Sequence, residues 1–265
     1  MSKHLIRIAS VGVVFGLIVV ASAFAEPKAV FRGKPKTVVV GNLVFKDNGW
    51  ISPAKLPRWE QAPIAAHING QIGTSDGSQP PAIEGVVADF DETIEVNAKG
   101  LPACSKGQLT ARSTVAVRKA CPDAIVGSGE GEVRVAFPEQ APFTATSPIV
   151  LFNGGVHGGT TLLLIHAYVA VPAPTAVIAT VELTRIDRGH YGLHAVAQIP
   201  RIAGGAGSVT KFKFTIDRKF TYRGKEESYL TASCPTGHYY AEGKALFADG
   251  TSLKVPHILP CTPRD

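Results

Sequence analysis

The sequence lacks the motifs by which most enzymes and cofactor proteins are recognised. Its G-x-S-x-G match, Gly73-Thr74-Ser75-Asp76-Gly77, falls in a Gly/Ser/Pro loop rather than at a strand-to-helix elbow, and it has no H-E-x-x-H and no cysteine in a papain-like context, so no hydrolase can be named from a local signature. Triads assembled in space leave no such trace, so this removes only a reason to name an enzyme. It has no C-x-x-C either, and its four widely spaced cysteines argue against zinc. Gly127, Gly129 and Gly131 are spaced G-x-G-x-G and lead into alternating Val133 and Val135. That is neither phosphate-loop pattern, and it points to a bulged or closely packed strand. Helices do not alternate with strands, which excludes parallel βαβ units. Past the N-terminus no second membrane segment follows, because the most apolar stretch, 161–183, contains His166, Pro172 and Pro174.

What the sequence does have begins with an export signal. Lys3, His4 and Arg7 form a basic start, 8–20 carry no charge, and Ala23-Phe24-Ala25 supplies the small residues of a cleavage site. The cut is placed between Ala25 and Glu26, giving a cleaved signal peptide over 1–25, a basic, proline-containing arm over 26–36 and a single domain over 37–265. Two halves of that domain would divide near 147. The protein is therefore expected to be secreted and extracellular. Losing Lys3 and Arg7 lowers the formal charge from +6 to +4, too mild to imply specific nucleic-acid binding. All four cysteines lie in the exported part, where an even count means two disulfides. Of three pairings, nearest neighbours are preferred, Cys104–Cys121 and Cys234–Cys261, closing loops that would contribute roughly 3 and 3.5 kcal/mol.

The rest reads as strand after strand. Residues 37–45 are β-branched and are expected to end at the turn-like Asp47-Asn48-Gly49. Ile64, Ala66, Ile68 and Ile72 alternate with His67, Asn69 and Gln71, which marks a half-buried strand. A short helix is expected near 113–120, with Arg118 and Lys119 in its last turn and Pro122 beyond. A glycine turn over 154–159 and a Pro-Ala-Pro kink separate later strands. Asp249-Gly250 suits a two-residue type I′ turn in the last hairpin, whose base the Cys234–Cys261 bridge would tie. About a dozen short strands with frequent Gly and Pro turns give the fold class: all-β, an antiparallel β-sandwich or Greek-key barrel.

Candidate chemistry is thin. Lys211, Lys213, Arg218, Lys219, Arg223 and Lys225 oppose the single acid Asp217, a net +5 over 211–225. This is a candidate anion-binding face for a cell-wall polymer or membrane surface, with a solvated outer sheet face as the alternative. Phe212 and Phe214 alternate with its lysines and are expected to point into the core. His190 and His194 have metal-like spacing, but four strand residues span ~13 Å, too far for one ion. His157 lies in a glycine-rich turn. Asp89 and Asp91 share one strand face, read as solvated rather than as a calcium or acid–base pair. Trp50 and Trp59 fall in an irregular proline-rich segment, where plugging a sheet edge is preferred to a ligand platform. No cofactor, metal ligand or catalytic residue is assigned.

The blocks LPAC, ACPDAIVGSGEGEV, FNGG, QIPRIAGGAGSVTKF and the final C…FADG…C resemble those of uncharacterised secreted β-rich proteins of high-GC actinobacteria. The resemblance covers roughly the last two thirds of the exported part and implies secretion and β structure without an activity. The expected role is an exported, disulfide-stabilised, non-catalytic binding or structural protein of the envelope or exterior. The alternative is a secreted hydrolase-like enzyme, for which His157 or His166 would meet a carboxylate in a polar cleft. A third option, a carrier of small lipophiles, requires a closed barrel with an apolar cavity.

Overall fold

Alternating apolar and polar residues cannot bury one face unless the sheet folds onto something, and here it curls onto itself. The computed structural model describes residues 35–170 and 174–265; the signal segment, the Ala25–Glu26 cut and most of the arm lie outside them. Twelve strands form the main sheet: β1 (Lys36–Val40), β2 (Leu43–Ser52), β3 (Ala65–Thr74), β4 (Ile83–Asp91), β5 (Ile125–Val135), β6 (Phe143–His157), β7 (Thr160–Val169), β8 (Thr175–Arg188), β9 (Tyr191–Gln198), β10 (Gly207–Ile216), β11 (His238–Phe247) and β12 (Ser252–Pro260). Their order is β1-β2-β3-β10-β5-β6-β7-β8-β9-β4-β11-β12, with every neighbouring pair antiparallel. β10 sits between β3 and β5, so strands from either side of residue 147 interleave in one sheet.

The sheet is a nearly closed barrel. At the seam, β12 meets β1 and β2 through side chains: Lys36 Nζ donates to the Pro256 carbonyl, and His257 bonds Asp47. Apolar residues face inward and charged ones outward: on β10, Phe212 and Phe214 line the interior while Lys211 and Lys213 stand exposed. That is the reverse of a membrane-spanning barrel, whose outer band is apolar. Among the described residues no helix is long and apolar enough to cross a membrane.

The two ends differ. One is crossed by long connections that build a floor. Ala62–Pro63, Leu230–Ala232 and Ile94–Val96 form a three-stranded sheet, and Lys55–Pro57 pairs in parallel with Thr262–Arg264. The Cys234–Cys261 disulfide ties these pieces together, and Leu56, Ile64, Ile94 and Tyr229 pack beside it. The other end has only short connections.

The Cys104–Cys121 disulfide staples a segment to the outside of the wall. It holds two short helices, α1 (Lys106–Leu109) and α2 (Thr114–Ala120). Ser113 caps α2 by accepting from the Ala116 amide, close to the helix expected from sequence. α1 was not expected, although Ser105 and Gln108 make a reciprocal capping box whose S-x-x-Q pattern is legible. Leu109 and Val117 pack onto Val150, Phe152, Leu164 and Ile178 of β6, β7 and β8.

Several local expectations are corrected. Asp47-Asn48-Gly49 does not end a strand, because β2 runs through it in a ten-residue ladder with β3 that overrides local turn chemistry. Glycines 154 and 155 belong to β6, and the turn lies at Gly158-Gly159, both at positive φ. The last hairpin does not use a two-residue type I′ turn. Asp249 keeps a negative φ, only Gly250 is left-handed (φ +83°), and the Gly250 amide donates to the Phe247 carbonyl. That is a three-residue loop ending in a left-handed glycine. The glycine-spaced strand is closely packed, as expected: a Cβ on Gly129 would lie 2.0 Å from the Lys213 carbonyl oxygen.

Candidate ligand cavity

Eight strands make a barrel that side chains can just fill, and a larger ring leaves space unless its inward residues are bulky. Twelve strands close this one, and many inward positions are alanine: Ala66, Ala88, Ala167, Ala179, Ala195 and Ala197. The result is a lumen of about 440 Å³, bordered by eleven of the twelve strands. It runs from the floor, where Ile94, Tyr229 and Tyr239 lie, to the short-loop end, where Ile199, Ile202 and Val209 border it. Its size falls within the range of small-molecule sites.

Polar groups on the inner wall are few. Ser147 spends its hydroxyl on the Tyr168 backbone, donating to the carbonyl and accepting from the amide. Asp47 and His257, on facing strands of the seam, form the other inward polar feature, with Nε2 and Oδ2 2.6 Å apart. Their side chains keep 20 % and 12 % of their exposure. In the floor, the Tyr229 and Tyr239 hydroxyls are buried without a partner among the described residues. Burial pushes both phenols well above their ordinary pKa, and the Asp91 carboxylate adds to the rise at Tyr239.

The residues singled out from sequence lie elsewhere. Lys211 and Lys213 stand on the outer wall, while Lys219, Arg223 and Lys225 belong to a short hairpin past the floor end of β10. Lys211 pairs with Glu132 at 3.0 Å and Lys219 with Glu226 at 3.3 Å. The Thr210 hydroxyl, with Lys211, holds the Glu132 carboxyl below its usual range against the cost of partial burial. Arg223 lies over the Tyr222 ring, and Arg218 Nε is buried without a partner among the described residues.

His190 and His194 share nothing: His190 stacks on Tyr240, while His194 Nδ1 bonds Asp89 at 2.7 Å. Among the described residues no three His, Cys, Asp or Glu side chains group to hold a metal ion. Asp89 and Asp91 are not a solvated pair. Both are buried, Asp89 held by His194 and Arg188, and Asp91 accepting from the Thr93 hydroxyl and amide and from the Tyr240 amide. His166 is sealed on the outer wall beneath the staple, its Nε2 donating to the Arg112 carbonyl. Trp50 lies in β2 and stacks on His67, whereas Trp59 projects from the floor segment 77 % exposed.

Sequence reasoning missed the Asp47–His257 pair. Asp47 looked like a turn residue, and His257 is the one polar member of the inward face Leu253, Val255, His257 and Leu259, a pattern readable from alternation. No family model, curated protein or solved structure matches the chain. These comparisons give no support to a resemblance to actinobacterial secreted proteins.

Proposed function

We propose that this protein binds a small lipophilic molecule in the lumen of its barrel and acts outside the cytoplasm as a carrier or binding protein. One observation carries the reading: a cavity of about 440 Å³ whose inward side chains, contributed by eleven strands, are almost all apolar. Filling such a space with hydrocarbon is favourable, since each methylene taken from water contributes about 0.8 kcal/mol before ordering costs. Walls that stand this far apart make few dispersion contacts across the space, and a ligand within it supplies them. Secretion is supported by the signal-like N-terminus and by two disulfides, which persist in oxidising compartments.

The test is titration with N-phenyl-1-naphthylamine, a neutral dye that brightens in apolar surroundings. The folded protein should take it up saturably, and Ala195→Phe, which fills the lumen, should weaken binding at least tenfold. Val196→Phe, one residue along on the outer face of β9, should leave it unchanged. Absence of saturable uptake, or equal uptake by the Ala195→Phe variant, would overturn the proposal.

A further inference from the structure

Resting on that reading, we infer that the preferred ligand is an amphiphile with a hydroxyl head, a long-chain or alicyclic alcohol, whose oxygen docks on the Asp47–His257 pair. The lumen is otherwise so apolar that this pair sets where any polar head can sit. Of the other inward polar groups, Ser147 is committed to the Tyr168 backbone, and the two floor phenols have their oxygens buried within the wall. A head group taken from water without a hydrogen-bond partner loses more than its chain gains from several methylenes.

The atoms left open at the pair decide the chemistry of the head. Asp47 uses Oδ2 for His257 Nε2, and its Oδ1 has no partner among the described residues, nor does His257 Nδ1. Neither of these atoms is among the fully buried unpartnered ones. Lys36 faces the same seam as the register partner of Asp47, and its ammonium gives one of its three protons to the Pro256 carbonyl, keeping a positive charge beside the pair. When the imidazole is neutral, Nε2 carries the proton given to Asp47, so Nδ1 and Oδ1 are both acceptors. When it is an imidazolium, Oδ1 accepts and Nδ1 donates.

A hydroxyl donates to Asp47 Oδ1 in either state and, being uncharged, is repelled by neither Asp47 nor the Lys36 ammonium; Nδ1 points away from the carboxylate across the ring, so the same oxygen does not reach it. A carboxylate has no proton to give to Oδ1 and meets the charge of Asp47 in both states. An ammonium head can give Oδ1 one proton, but it meets the Lys36 charge at the same seam and brings further protons into an apolar space. The pair therefore selects for a hydroxyl and against a fatty acid of the same chain length, by repulsion as much as by attraction.

The experiment uses the full chain and displacement of N-phenyl-1-naphthylamine by 1-dodecanol, dodecanoate, dodecylamine and dodecane at pH 7.5. Dodecanol should displace the dye at a concentration at least tenfold lower than dodecanoate and lower than dodecane. In the double variant Asp47→Leu/His257→Leu, dodecanol should lose its advantage over dodecane. Replacing both partners leaves no unpaired charge, so that variant is expected to fold, as dye uptake reports. Dye displaced equally well by all four compounds, or best by dodecanoate, would overturn the head-group assignment and leave the lumen reading standing. No saturable dye uptake by the native protein would remove the lumen reading and this inference with it.

Discussion

The two faces of the wall formed by β6, β7 and β8 are both apolar, yet they are treated in opposite ways. Facing out, Val150 and Phe152 are fully enclosed and Leu164 and Ile178 nearly so, under the helices held by Cys104–Cys121. Facing in, Ile165 and Ala167 remain partly accessible along the lumen. A tightly packed core thus lies outside the barrel, and a loosely filled space lies inside it. The contrast also explains why 161–183 is the most apolar stretch of the chain: strands covered on both faces lose the polar half of their alternation.

If that contrast is correct, truncation on the outer face should cost most. Phe152→Ala removes a large ring from a fully enclosed site beneath α2, and an unrelieved cavity of that kind costs about 3–5 kcal/mol. Urea unfolding monitored by circular dichroism should show a large drop in midpoint with little change in slope. A loss near 1 kcal/mol would mean that the stapled segment follows the wall inward and that its packing is looser than the structure implies.

The outer core also contains a titratable group. His166 is fully buried, its Nε2 proton is committed to the Arg112 carbonyl, and its Nδ1 has no partner among the described residues. Burial lowers its pKa, and the Arg112 hydrogen bond offsets this only in part. The unfolded chain, with the ordinary value of ~6.5, takes up a proton below that pH while the folded chain does not. Stability is therefore intact above about pH 6.5 and falls as pH drops toward the folded pKa, by at most about 1.4 kcal/mol per pH unit. Unfolding curves from pH 7.5 to 5 should show His166→Gln flattening this slope relative to the native protein. Identical slopes would mean that the imidazole gains its proton without disturbing the staple.

Much of the frame was legible because it is written locally. The alternation of Ile64, Ala66, Ile68 and Ile72 gave the face of β3, and that of Phe212 and Phe214 against Lys211 and Lys213 gave β10. Cysteine arithmetic and proximity gave both disulfides. What escaped depends on partners far along the chain. Asp89 is buried because Arg188 and His194 reach it from two other strands, and no feature within 86–96 announces them. Asp47 stays in a strand because β3 pairs with it along ten residues, and it faces a histidine 210 positions away. The lumen itself is a property of ring size multiplied by small inward residues. Each alanine read alone is an ordinary strand residue, and only closure of twelve strands turns the set into a cavity.

The smallest expected effect falls on a residue next to an enclosed one. Leu164 and Ile165 are neighbours in β7, and alternation sends the first under the staple and the second into the lumen. Leu164→Ala should fall in the 2–5 kcal/mol range of enclosed core sites. Ile165→Ala creates no new enclosed void, because the space it vacates joins one that already exists, so only part of the transfer free energy is lost. A cost of about 1 kcal/mol is expected, and the same substitution enlarges the lumen and should admit bulkier dyes than the native protein does. Parallel urea unfolding of the two variants measures the ratio directly. Equal costs would mean that the inner wall is packed as tightly as the outer one, and a lumen able to accept a ligand would then have to open by moving the wall.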